Sequence, residues 1–366
     1  MLKVFVAAFF LLSVATAAGQ SPLGPAMIGR LAVNRTQIVF NYAGDLWSMP
    51  RTGGEAKPLT THPGEESFPA FSPDGSQLAF SRNVGGNLDV YVMPATGGEA
   101  RRVTFHPRQD MTMGWTPDGR SIVFVSQRNG TSRLYKIQPD GVLPEEVPLP
   151  VAETGAYSPD GKRLAYSPNT ALFDGWRYYR GGDNGRIFLA DTSNWAVEKL
   201  SQGTHNDELP MWASDRLFFV SDRDGIHNLF SLDLKTRQTK QLTSFQKYGI
   251  RFAAACADAV AFVRDGRLYL HDIANGQTQQ IEIRLNVATP ECNPRTANAV
   301  RTIDWMIPNA TGNKVAIGAR GEVMLFDPAT GAIVCRSTLT SPTNGCVPFN
   351  PFGAGAPSAA ALVTSG

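Results

Sequence analysis

Phe71-Ser72-Pro73-Asp74-Gly75 returns as Trp115-Thr116-Pro117-Asp118-Gly119 and again as Tyr157-Ser158-Pro159-Asp160-Gly161. The copies stand 44 and 42 residues apart. Pro presets φ, Asp bonds a nearby backbone N–H and Gly accepts φ > 0, so each copy dictates a tight turn. Each is followed by an alternating run, Gln77 to Phe80, Ser121 to Val125 and Arg163 to Tyr166, which reads as a strand with one buried face.

Two further markers keep step. One is a hydrophobic-aromatic pair: Leu46-Trp47, Val90-Tyr91, Leu134-Tyr135, Ile187-Phe188, Leu229-Phe230 and Leu268-Tyr269. The other is Gly53-Gly54 leading to Leu59-Thr60 and Gly97-Gly98 leading to Val103-Thr104, with later copies ending at Leu200-Ser201 and Leu242-Thr243. A period of about 40–45 residues holding four short strands is the signature of propeller blades. The aromatic marker counts six of them, so the expected fold is all-β: a six-bladed β-propeller of four-stranded antiparallel blades over residues 28–285. Blade one begins near Ile28 and blade six ends near Ile283, so no blade draws strands from both chain ends. The ring is then either closed or open, and an open one leaves two edges held by packing alone. Blade four carries about a dozen extra residues around Leu172 to Arg186. Residues 286–300 read as a linker, and Ile307-Pro308-Asn309-Ala310-Thr311-Gly312 opens a partial blade of a second propeller over residues 301–331.

Composition agrees with this. The 366 residues hold 35 Gly and 25 Pro, a surplus that frequent turns absorb. With 34 Lys+Arg against 32 Asp+Glu the net charge is +2, which excludes charge-driven binding to nucleic acid or an anionic membrane. Lys3, the apolar run from Val4 to Val14 and Ala15-Thr16-Ala17 make residues 1–17 a secretory signal peptide. The expected location is the periplasm, and no later segment is apolar for the ~18 residues a membrane span needs. Of four cysteines, only Cys335 and Cys346, close together in a turn-rich stretch, form a disulfide candidate. No Cys/His spacing fits zinc, so neither a metal nor another cofactor is expected.

The markers resemble the N-terminal six-bladed propeller of the tricorn protease family over about Ile28 to Glu322. Ala43-Gly44-Asp45-Leu46-Trp47, Leu59-Thr60-Thr61-His62-Pro63-Gly64-Glu65 and the inserted Trp176-Arg177-Tyr178-Tyr179-Arg180-Gly181-Gly182 narrow the resemblance beyond other propellers. It implies a chain that continues, in its family, into a seven-bladed propeller, a PDZ-like domain and a serine-peptidase domain that trims peptides. No residue here matches that family's nucleophile, and there is no G-x-S-x-G elbow or H-E-x-x-H helix, so no catalytic residue is assigned. Residues 332–366, with Cys335 and Cys346, resemble instead a loop segment of TonB-dependent receptors. This implies an unrelated, disordered tail joined between Gly321 and Ala332.

Candidate binding residues follow two patterns. His62 and His106 stand 44 residues apart just past the end of a blade, and His205 holds nearly the same place. They are either a polar ring contacting peptide or repeated caps of one turn. Trp176, Arg177, Tyr179 and Arg180 break the repeat and concentrate Arg and aromatics, which suits a peptide carboxylate, or alternatively packing against a neighbouring domain. Glu65-Glu66 and Glu145-Glu146 are adjacent acids whose side chains point apart, a poor basis for acid–base chemistry.

Two functions compete. One is the non-catalytic propeller portion of an exported tricorn-like serine peptidase, gating or binding peptides. Its partners are peptides and the missing catalytic domains, and the full-length protein is a homo-oligomer. The other is a TolB-like periplasmic protein-binding propeller without enzymatic activity.

Overall fold

The computed structural model describes residues 28–169, 180–285, 303–319 and 322–336. Among them there is no helix, and no segment is a helix long and apolar enough to cross a membrane. The chain divides into two units, residues 1–289 and 290–366.

The first unit holds six antiparallel blades, each with its four strands in chain order. They span residues 31–58, 65–102, 110–146, 154–199, 207–241 and 250–281. The turns that define the period close as their chemistry requires. Ser72 Oγ donates to Asp74 at 2.6 Å and accepts from the Gln77 N–H at 2.9 Å, while Gly75 sits at φ +74°. The same bonds recur around Thr116 and Ser158. The aromatic before the turn reaches back to the preceding blade: Trp115 Nε1 donates to the Ala70 carbonyl at 3.0 Å, and Trp212 to that of Ala156 at 2.9 Å. The Thr/Ser marker works as a latch, its hydroxyl accepting a third-strand N–H from Leu46, Val90, Ile187 and Leu229 in turn.

Third-strand aromatics stack on second-strand ones: Phe80 on Tyr91, Phe124 on Tyr135, Tyr166 on Phe188, Phe219 on Phe230 and Phe262 on Tyr269, with centroids 5.5–5.9 Å apart. Each buried aromatic of this kind removes some 150–250 Å² from water, and aliphatic side chains such as Val123, Leu134 and Leu164 share the clusters between blades.

Of the closed and open rings the sequence left as alternatives, the structure has one fastened at its seam. Ile283–Leu285 runs parallel to the outermost strand of blade 1, Gly54–Pro58, pairing Ile283 with Gly54 and Leu285 with Ala56. One core unites the seam, with Trp47 and Met49 of blade 1, Ala261, Leu268 and Ile281 of blade 6, and Ile283 of the clasp. Arg51 and Asp258 pair across it at 2.9 Å.

The second unit contributes one four-stranded antiparallel sheet, Ile303–Pro308, Val315–Ala319, Glu322–Asp327 and Ala332–Arg336. Asn309 to Gly312 makes the expected degenerate turn, with Gly312 at φ +71°. Its fourth strand extends past residue 331, where the unrelated tail was placed. Asp327 caps the connecting turn through the Ala329 N–H and pairs with Ala332, which carries residues 332–336 into the sheet. The rest of that tail with Cys346, residues 1–17, expected as a signal peptide, and residues 286–300, expected as a linker, lie outside the described residues.

Candidate functional site: the centre and link face of the ring

The first strands of all six blades line a central cavity of about 290 Å³. In four blades that strand is bulged, at Phe68-Pro69, Met113, Leu209-Pro210 and Arg251. A bulge re-aims side chains. Phe68 and Leu209 take left-handed φ values, +55° and +51°, a costly conformation for residues with a Cβ. The result is an aromatic clamp on a cation. The Arg30 guanidinium lies 3.8 Å from the Phe68 ring centroid and 5.1 Å from that of Phe252. Burial and repulsion from Arg251 push Arg30 down to about 9, so the cavity keeps its positive charge at neutral pH.

Antiparallel alternation puts the start of each first strand, the end of each second strand and each interblade link on one face of the ring. A charge pattern unforeseen from the sequence occupies it. Glu66 pairs with Arg82 at 2.7 Å, Asp110 with Arg128 at 2.9 Å and Asp207 with Arg223 at 2.8 Å. The three acids are buried, and each arginine lies over its blade's aromatic stack, with Cζ 4.6–4.7 Å from Tyr91, Tyr135 and Phe230. Asp207 illustrates the balance. Burial pushes its carboxyl up, but bonds from His205, Ser221 and Arg223 outweigh that and hold it below the usual range. A signal existed in Phe80-Ser81-Arg82, Phe124-Val125-Ser126-Gln127-Arg128 and Phe219-Val220-Ser221-Asp222-Arg223. The arginine's offset from the aromatic varies, which hid it.

The histidines lie on this face. His62 Nδ1 accepts the Gly64 N–H at 2.9 Å and His106 Nδ1 the Arg108 N–H at 3.0 Å, the turn-capping role. His205 differs, standing 3.3 Å from Asp207. Of the insertion, Trp176, Arg177 and Tyr179 lie outside the described residues, whereas Arg180 reaches Asp222 at 2.6 Å. Asp222 belongs to a buried polar knot. It accepts from the Asn206 backbone and side chain, and fully buried His227 stands 4.0 Å from it and 3.9 Å from Glu208. Glu145 and Glu146 do diverge, to Lys136 and Arg133. Among the described residues no His, Cys, Asp and Glu group is arranged to hold a metal.

Six blades around a cation-bearing centre define a six-bladed β-propeller. The chain belongs to the tricorn protease N-terminal beta propeller domain family, whose model matches residues 25–277. It is 28% identical over 312 residues to tricorn protease homolog 1 of Streptomyces coelicolor, covering 82% of this chain and 29% of that protein. With the tricorn protease of Thermoplasma acidophilum it is 26% identical over 309 residues, covering 81% and 28%. The chain thus spans under a third of the length of these relatives. Among solved structures, the tricorn protease superposes with a TM-score of 0.63 at 21% identity, covering 83% of this chain and 30% of that one. The propeller domain of the Pyrococcus furiosus trilobed protease, described as having an open velcro topology, gives 0.51 at 12% identity, covering 74% and 100%. These two likenesses support the fold.

Proposed function

We propose that this propeller is the peptide-handling, non-catalytic portion of an exported tricorn-like serine peptidase, its ring centre admitting or retaining peptides for proteolysis elsewhere in the assembly. The observation that carries the reading is the central cavity, where Arg30 is clamped between Phe68 and Phe252. A cation held against aromatic faces offers anionic and apolar groups of a peptide a site at once. Export rests on the signal-like residues 1–17, and the periplasm is the location proposed. The insertion is proposed as a second contact, with Arg180 seated on Asp222 and Arg177, Trp176 and Tyr179 preceding it.

The test is anisotropy of a fluorescein-labelled acidic peptide titrated with the purified chain. Arg30→Ala is expected to weaken binding roughly tenfold, the scale of one lost charge-assisted contact. Combined Arg177→Ala and Arg180→Ala is expected to weaken it further. Unchanged affinity in the Arg30 variant removes the channel reading, and unchanged affinity in the double variant removes the insertion.

A further inference from the structure

The clamped Arg30 has a neighbour of its own sign. Arg30 leads into the first strand of blade 1, whereas Arg251 and Phe252 lie in that of blade 6, more than two hundred positions later. Blades 6 and 1 meet at the seam, and there both guanidiniums lie over one ring. Arg30 is 5.1 Å and Arg251 5.4 Å from the Phe252 centroid. Burial, and after it repulsion from Arg251, holds Arg30 below the ordinary arginine range, so the two charges are close enough to oppose each other. Like charges brought together are relieved by an anion that meets both.

Elsewhere on the link face the fold answers such an arrangement with an acid of its own. Arg82, Arg128 and Arg223 each lie over an aromatic stack, and each holds a buried carboxylate, Glu66, Asp110 or Asp207, at 2.7–2.9 Å. Arg251 lies over its ring without one: it is exposed and forms no ion pair among the described residues. The surroundings are nevertheless built. Phe68 keeps a left-handed backbone while its ring makes the closest cation contact among the described residues, 3.8 Å, and such strain collects at ligand clamps. Across the ring in blade 4, the Thr154 hydroxyl is buried, borders the same cavity and has no hydrogen-bond partner among the described residues. A buried hydroxyl in that state costs stability until a polar group meets it.

We propose that Arg30 and Arg251 form a carboxylate-binding site in the wall of the central cavity, taking the acidic side chain or the free C-terminus of a peptide. The carboxylate accepts from both guanidiniums, and supplies at Arg251 the charge that Glu66, Asp110 and Asp207 supply at its counterparts. That the carboxylate belongs to a peptide rests on the function proposed above; the pairing of the two arginines does not.

The experiment titrates three compounds into the full ¹⁵N-labelled chain: N-acetyl-L-glutamic acid α-amide, its neutral counterpart N-acetyl-L-glutaminamide, and N-acetyl-L-glutamine with a free α-carboxylate. Saturable shifts are expected at the amides of Arg30, Arg251 and Phe252 with the glutamate compound, the neutral one binding roughly tenfold more weakly. Arg251→Gln is expected to abolish that preference. If the variant does not fold, the contrast between the charged and neutral compounds on the native chain decides. The free α-carboxylate matching the glutamate compound upholds the site and adds the chain end to its ligands; matching the neutral one upholds it for side chains alone. Equal shifts with the glutamate compound and its neutral counterpart, no shift at those amides, or a preference that survives Arg251→Gln overturns the proposal. If it fails while the labelled peptide still binds, the channel reading stands. Carboxylate-dependent shifts without peptide binding uphold the site and remove the peptide.

Discussion

Glu66 compresses the chemistry of the link face into one side chain. It is fully buried, accepts from the Thr60 hydroxyl at 2.9 Å and pairs with Arg82 at 2.7 Å. Burial nevertheless prevails over both partners, aided by Asp45, and pushes its carboxyl up to about 7 from 4.5. An acid whose folded value exceeds its unfolded one binds its proton more tightly in the folded state, so stability falls as pH rises through that window. The chain is therefore expected to lose stability between about pH 4.5 and pH 7. Glu66→Gln, which carries no titrating proton, should flatten that slope. Urea midpoints across that pH range measure it, and a slope unchanged by the substitution would assign the titration to another group. The sequence marked Glu66 only as one of two adjacent acids. It could not say which faces inward, because the bulge at Phe68-Pro69 is set by packing around the channel.

At the scale of elements, local chemistry was legible and remote pairing was not. Ser-Pro-Asp-Gly turns, Leu-aromatic pairs and Leu-Thr latches each satisfy their bonds within a few residues or with the adjacent strand, so they print a period that counts blades. The clasp Ile283–Leu285 has three residues and a parallel partner more than two hundred positions earlier, and no local pattern specifies such a strand. For the same reason the insertion was found by length, whereas Arg180's partner Asp222 was not. Clasp and blade 1 fit closely. The Gly54 N–H donates to the Glu282 carbonyl at 3.0 Å, and a Cβ on Gly53, at φ +92°, would come 2.8 Å from that same oxygen. Ile283 is 6% exposed within the seam core. Ile283→Asp buries an unmatched carboxylate there and is expected to cost about 2–4 kcal/mol. A lower unfolding midpoint with faster amide exchange at Glu55 and Arg284 checks this. Loss of stability without faster exchange at the clasp would mean that packing alone holds the ring.

As a whole molecule, the described residues form a ring marked by a central cavity and by buried ion pairs on its link face. Purified, it is expected to hydrolyse no fluorogenic peptide, and hydrolysis abolished by a serine-directed reagent would overturn the non-catalytic assignment. Its cavities divide between a cationic centre shared by all six blades and a gap between blades 4 and 5. The clasp has a mechanical meaning as well. It is the last described segment of the chain before the second unit, so tension along the polypeptide from that unit reaches Ile283–Leu285 before any strand of blade 6. Three residues in parallel register are therefore expected to bear such a pull first, and because Ile283 belongs to the seam core, a load on the chain tests the ring's fastening before it reaches a blade.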